Sequence, residues 1–383
     1  MPSDIGQHTI AARMLETNNR ASGFDYLRLI LSLSVILWHS YVLSEGRDAA
    51  HALSALLLVP VRSILICFFA LSGFLVAGSL LRCKTLFMFL GLRVVRIVPA
   101  LFLEVTLSAL LLGPLVTTVP LASYFSSQEF HAYFLNIVGV IHYTLPGVFT
   151  SNPFPNVING QLWTIPWELE CYIALSLLAL FGLVGRRYGF AVVLALIQAY
   201  FLARGLLRPD SAADFVPGQA LIMAFLYGVA AYVYRDWLPH SLALCAAAVA
   251  LSVGLLLWQK GALLAPLPLA YLTVYLGLLN PHKVALIRSG DYSYGLYLYG
   301  FPLQQLVAHF GPAYQHWWLN FGLATVLGFG IAYISWNYVE LPASRLRPHL
   351  QALEQRYLQL RARLLSALGR PRAASSRCAP TPG

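Results

Sequence analysis

Ten runs of about 17 or more predominantly apolar residues follow one another along this 383-residue chain, near 24–44, 54–80, 98–119, 163–184, 188–206, 217–234, 238–258, 262–279, 293–309 and 317–339. Each is long enough to cross a hydrocarbon layer as a helix, which takes about 20 residues. A soluble fold could not hide them. Apolar residues make up 58% of the chain and charged residues 10%, against about 25% charged in an ordinary soluble domain, and the mean hydropathy is +0.68. The expected fold class is an all-α integral membrane protein of about ten transmembrane helices. The first 23 residues are polar, and no small-residue cleavage site follows the first apolar run, so that run reads as a retained span rather than a signal peptide.

An even number of spans puts both termini on one side. With the N-terminus inside, 20 of the 25 Lys and Arg residues fall on the inner side and 5 on the outer, the asymmetry that the positive-inside rule asks for. The outer five are Arg47, Arg62, Arg204, Arg208 and Lys260. The net charge of +10 then points to anionic inner-leaflet lipid as a partner, not to nucleic acid. Five cysteines form no CxxC pair, so neither a disulfide framework nor a metal site is expected. Three segments result: a polar cytoplasmic N-terminus (1–23), a membrane unit (24–345), and a basic tail (346–383). In the tail, Leu350, Leu353, Tyr357, Leu360 and Leu364 recur at heptad spacing among arginines. That pattern predicts an amphipathic helix on the inner leaflet, followed by disorder from 370.

Within the first run, Arg28 and His39 are eleven residues apart. Eleven helical steps make about three turns, which places both side chains on one face about 16 Å apart. Ionisable groups in a span are costly and mark a pathway or a site. Here the cation stands at the membrane entry and the imidazole near its middle. That suits a ligand whose anionic end stays at one surface while its reactive end reaches inward. A snorkelling arginine and a histidine satisfied by a neighbouring helix would give the same pattern.

Other residues gather around this theme. Arg82, Lys84, Arg93 and Arg96 cluster in the inner connection between spans two and three, either as ordinary inner-leaflet charge or as a phosphate clamp, for which the planar guanidinium is suited. Phe68-Phe69-Ala70-Leu71-Ser72-Gly73-Phe74 lies inside span two, and its small residues suit close helix packing. Glu168 and Glu170 open span four with no basic residue nearby in sequence. The helix dipole accounts for Glu170 but less readily for Glu168. Asp291 or Ser293 can cap span nine, and Glu340 ends span ten within reach of a cluster arginine. The aromatic segment 120–162 reads either as an interfacial belt or as a platform for sugar rings.

Taken together, these motifs resemble the membrane acyltransferase-3 family, integral-membrane O-acyltransferases that modify bacterial glycans. The resemblance runs from about residue 24 to 345. It rests on Asp25-x-x-Arg28-x10-His39, Phe68-Phe69-x-x-Ser72-Gly73-Phe74, Arg93-x-x-Arg96-Ile97-x-Pro99, Leu162-Trp163-x4-Glu168-x3-Tyr172, Ser293-Tyr294-Gly295-x-Tyr297-Leu298 and Glu340-x-Pro342. One departure is Gly300, where many relatives have histidine.

The resemblance implies acyl-coenzyme A as donor, with acetyl-coenzyme A foremost, and no metal. Arg93 and Arg96, helped by Arg28 or Lys84, would hold its phosphates at the inner face. Its arm would carry the thioester to His39 as general base, or as the carrier in a covalent acyl-histidine relay, with Glu168 orienting His39 or binding the acceptor. The acceptor would be a carbohydrate: an exported polysaccharide, O-antigen or lipo-oligosaccharide, at a bacterial inner membrane. The competing class is a transporter or flippase for acyl groups or lipid-linked sugars. Such carriers often show two pseudo-symmetric halves, and no internal repeat is visible in this chain.

Overall fold

The computed structural model describes residues 9–207, 216–258 and 261–368. Among these residues the chain is helical and has no strand, only isolated bridges pairing Thr9 with Pro239 and Thr117 with Val148. A short helix α1 (Ile10–Glu16) leads in, and each of the ten apolar runs then carries a helix. These are α2 (Gly23–Leu56), α3 (Leu58–Arg82), α4 (Leu86–Leu107), α5 (Thr164–Leu180) and α6 (Arg187–Leu207). They continue with α7 (Gly218–Val233), α8 (Leu242–Leu257), α9 (Pro266–Gly277), α10 (Ser293–His309) and α11 (Trp317–Ser335), and α12 (Arg347–Leu368) follows. Hydrocarbon offers backbone groups no hydrogen bonds, so an apolar chain of this kind satisfies them within helices. Among the described residues five stretches are long and apolar enough to cross a membrane: Gly23–Gly46, Leu58–Arg82, Leu86–Val116, Arg187–Gly205 and Trp317–Leu364. The protein is a multi-pass, all-α membrane protein. The tail from 370, expected to be disordered, lies outside the described residues, as do Arg208 and Lys260.

The third run begins earlier than its hydropathy suggested. The Thr85 hydroxyl accepts the Met88 amide at 3.1 Å and caps α4, so the α3–α4 connection is only 83–85. Arg93 and Arg96 therefore stand inside α4 and not in a connection. The apolar stretch from Leu86 to Leu92 carries the helix far enough to include them.

At the centre, α3 and α7 pack backbone to backbone. A Cβ on Gly73 would lie 2.0 Å from the Phe225 carbonyl oxygen, and one on Gly228 would lie 2.1 Å from that of Ala70. The two glycines are reciprocal, each admitting the other helix, so the role of Gly73 is packing.

Helix α10 contains Pro302, which has no amide hydrogen and frees the carbonyl four residues back. Gln161 takes up that carbonyl, donating to Leu298 at 2.7 Å and to Tyr297 at 3.0 Å. On another face Gln304 donates to the Ile36 carbonyl at 2.7 Å and to Ser40 Oγ at 2.6 Å, tying α10 to the turn of α2 that carries His39. Gly300 lies one turn earlier, where a Cβ would come within 3.0 Å of Ile36.

The aromatic segment between α4 and α5 mostly packs on itself. Tyr124, Phe130, Tyr133 and Phe149 are buried. Tyr124 and Phe125 meet Phe130 and each other, and Phe130 meets Phe134. The Tyr124 hydroxyl donates to the Ala109 carbonyl at 2.8 Å. Most of these rings form the core of a cap, which leaves few of them to stack on sugars. At the other extreme of the chain, Glu354 of α12 is buried and accepts a hydrogen bond from Thr85 at 2.7 Å. The Leu353, Tyr357, Leu360 and Leu364 stripe is exposed.

Candidate active site

Asp291 sits in the connection before α10, with arginines from two other helices beside it. One oxygen meets Arg28 Nη1 at 3.1 Å and Arg96 Nη2 at 2.8 Å, while Ser293 donates to the other at 2.6 Å. Burial alone would raise this carboxyl's pKa, but the Arg28 and Arg96 guanidiniums outweigh it and hold Asp291 well below the usual carboxylate range. The chain of charges runs on in both directions. Arg28 also meets Asp25 at 2.7 Å, and Asp25 meets Lys283 at 2.8 Å. Arg96 also meets Glu340 at 3.3 Å, the carboxylate expected to serve a cluster arginine. Asp291 is thus a junction of ion pairs at the start of α10.

These pairs hold Arg28 and Arg96 at the wall of a cavity of about 200 Å³. Arg93, one turn before Arg96, lines it as well. Its guanidinium lies over the Phe89 ring and donates to Ser79 Oγ at 3.2 Å. No carboxylate pairs with it among the described residues. Glu168 lines the same cavity and accepts a hydrogen bond from the Tyr172 hydroxyl one turn further on. The structure therefore brings Glu168 to the arginines rather than to His39. Lys84 is exposed beyond the end of α3 and lines neither this cavity nor the next.

His39 lines a second cavity, of about 340 Å³, with Val35, Trp38, Trp163 and Trp167. Its ring meets Phe301 edge-on at 5.2 Å, and Phe301 meets Phe154 of the cap. Trp167 fits because residue 218 is glycine, since a Cβ there would lie 2.1 Å from the indole. Leu65 and Tyr297 line both cavities. The Tyr297 hydroxyl is fixed between Thr164 Oγ1 at 2.6 Å and the Gln161 carbonyl at 3.1 Å. Arg28 and His39 thus open into adjoining cavities along one face of α2. Such a row can hold an anion at one end and set an imidazole against a reactive group at the other.

Comparison with known proteins bears directly on that chemistry. A family model described as an acyltransferase domain matches residues 22–337, most of the chain. The chain belongs to the acyltransferase-3 family. It is 24% identical over 352 residues to an "O-acetyl transferase" of Shigella phage Sf6, covering 84% of this chain and 96% of that protein. It is 28% identical over 371 residues to "Nodulation protein 10" of Rhizobium leguminosarum bv. viciae, covering 88% and 98%. No solved structure matches it.

Two groups of this acyltransferase, one half-buried and one buried, escape a reading of its sequence. One is the junction role of Asp291, whose partners Arg28 and Arg96 are far away in the chain. The other is Glu104, a lone carboxylate within the apolar α4, which accepts hydrogen bonds from Ser108 at 2.7 Å and from Asn159 of the cap segment. Its only sequence signal is an acidic residue in Leu101-Phe102-Leu103-Glu104-Val105. It lines neither cavity.

Proposed function

We propose that this acyltransferase moves an acetyl group from cytoplasmic acetyl-coenzyme A to a hydroxyl of a cell-envelope or exported carbohydrate. The observation that carries this reading is the pair of adjoining cavities, one walled by Arg28, Arg93 and Arg96 and the other by His39, with Leu65 and Tyr297 common to both. Arg93 has the guanidinium without a carboxylate partner and takes a donor phosphate. Arg28 and Arg96, held by Asp25, Asp291 and Glu340, add preset positive charge. The pantetheine arm passes Tyr297 and brings the thioester to His39.

His39 then takes the proton of the acceptor hydroxyl as that oxygen attacks the thioester carbonyl carbon. The tetrahedral adduct collapses with cleavage of the carbon–sulfur bond. The thiolate recovers the proton from the imidazolium, giving an O-acyl ester and coenzyme A. Glu168, beside Arg93 and Tyr172, positions the donor's arm. Transfer to a hydroxyl is supported by the relative named O-acetyl transferase, and a carbohydrate acceptor by the resemblance to glycan-modifying O-acyltransferases.

Ten spans, with both termini in the cytoplasm of a bacterial inner membrane, complete the proposal. The 24–345 unit carries the activity, the 1–23 segment is cytoplasmic, and the exposed stripe of α12 lies on anionic inner-leaflet lipid. Purified protein given labelled acetyl-coenzyme A and extracted glycan should yield labelled ester, which a transporter or flippase would not form. Sidedness has its own test. A cysteine in place of Ser126 should react with an impermeant maleimide in intact cells, and one in place of Ser289 only after permeabilisation. Labelling of Ser289→Cys in intact cells would reverse the topology and remove the donor's route.

A further inference from the structure

A third cavity adjoins the arginine cavity on the side away from His39. It encloses about 300 Å³, and Arg28 and Leu75 belong to both. Four cations line it, Arg20, Arg28, Arg82 and Lys283, against the single carboxylate of Asp25. Asp25 is already engaged by Arg28 and Lys283, whereas neither Arg20 nor Arg82 is ion-paired among the described residues.

The N-terminal segment, expected only to be polar and cytoplasmic, builds one wall of this cavity. Ile10 and Met14 are buried with Phe24, Phe74 and Leu278. The Ile10 amide donates to Leu238 at 2.9 Å and the Ala11 amide to Arg235 at 3.0 Å. After α1 the chain reverses through Asn18 and Asn19, both left-handed with φ of 51° and 57°, a conformation that asparagine tolerates better than most residues. The reversal delivers Arg20 to the cavity. Across from it, Arg82 folds back along α3, so that a Cβ on Gly78 would lie 3.2 Å from its guanidinium nitrogen.

We propose that Arg20 and Arg82 form a subsite for a terminal phosphate monoester, the 3′-phosphate on the ribose of coenzyme A. This rests on the reading of acyl-coenzyme A as donor. The cavities form a row with His39 in the innermost and Arg20 and Arg82 in the outermost. On the donor, the thioester and the ribose phosphate likewise lie at opposite ends of the molecule, with the diphosphate between them. A monoester carries nearly two negative charges at neutral pH, and unpaired guanidiniums are the groups that bind it through forked, charge-assisted hydrogen bonds. Arg28, shared by the outer two cavities, faces the diphosphate. The subsite selects coenzyme A thioesters over acyl carriers that end at the pantetheine phosphate.

The test compares acetyl-coenzyme A with acetyl-dephospho-coenzyme A, which lacks only the 3′-phosphate. Initial rates are measured for the full chain, Arg20→Ala, Arg82→Ala and Arg82→Gln, in nanodiscs of zwitterionic lipid and of lipid containing phosphatidylglycerol. The parent should show a KM about tenfold or more higher for the dephospho donor. Each variant should raise KM for acetyl-coenzyme A about tenfold and leave that for the dephospho donor unchanged, which also reports an intact fold. Equal parent KM for the two donors would overturn the subsite. So would variants that raise both KM values alike, or an effect confined to anionic nanodiscs, which would assign the cations to lipid headgroups. If Arg20 and Arg82 variants match the parent while Arg93→Ala raises KM, the subsite falls and the donor reading stands. If neither donor is turned over, both fall.

Discussion

At the arginine end of the cavity row, two guanidiniums and an ammonium share three carboxylates from four separate segments. At the other end, His39 stands among Val35, Trp38, Trp163 and Trp167, with no charged neighbour in its cavity. The first arrangement fixes charge in place before a ligand arrives, so little reorganisation is needed to meet an anion. The second leaves an imidazole with no carboxylate in its cavity to orient it, and its placement depends on helix packing. Gln304, bonded to α2 at Ile36 and Ser40, supplies that placement from outside the cavity. On the proposed reading, charge governs donor binding at one end, and packing governs chemistry at the other.

Replacing His39 with alanine should separate the two ends most sharply. Loss of a general base costs about 10²–10⁴ in rate, while removing a polar group from a span should leave the protein inserted and folded. Near-parental acyl content on the glycan, at matched protein level, would refute its role. Next in size is Arg93→Ala, which should raise the donor KM about tenfold with a smaller effect on kcat. Lysine there should restore only part, because an ammonium cannot make the forked contact. If acceptor KM rose instead, the two ends would have been assigned the wrong ligands.

Gln304→Leu should act in the opposite sense to Arg93→Ala. Loss of a hydrogen-bonded brace worth about 1 kcal/mol should lower kcat about fivefold and leave the donor KM alone. A change in KM alone would mean that α10 supports binding rather than the imidazole.

The smallest effect is expected from acid. Asp291 has a folded pKa below its unfolded value, so its contribution to stability is fully present above about pH 4 and is lost as pH falls toward the folded value. The stability difference between the parent and Asp291→Asn, followed by thermal unfolding, should therefore stay level from pH 8 to pH 5 and shrink only below that. A difference that fell between pH 7 and pH 5 would show that the arginines do not hold the carboxylate ionised.

Much of this plan is legible in the sequence because it is periodic or local. The apolar runs announce the helices, and eleven-residue spacing puts Arg28 and His39 on one face. The terminal position of Glu340 anticipates its pairing with Arg96. What escapes is whatever depends on distant segments meeting. Asp291 reads as a helix cap because capping residues are recognised locally, and its arginines lie on α2 and α4. Glu168 reads as a partner for His39, yet the direction in which α5 presents it follows from how α5 packs in the bundle. The N-terminal segment reads only as polar because its buried residues, Ile10 and Met14, are too few to make a pattern. The cap aromatics read as an outward surface because their number is visible in sequence and their mutual packing is not.

Pro302 carries a consequence for biogenesis. A membrane helix leaving the translocon alone must satisfy its own carbonyls, and α10 cannot, because Leu298 has lost its partner amide. The side chain that supplies the missing donor, Gln161, is synthesised well over a hundred residues earlier. The early segment must therefore already be lodged in the forming bundle when α10 enters. A late helix of the enzyme inserts onto a template laid down by an earlier segment, and the cavity row closes only when the two meet.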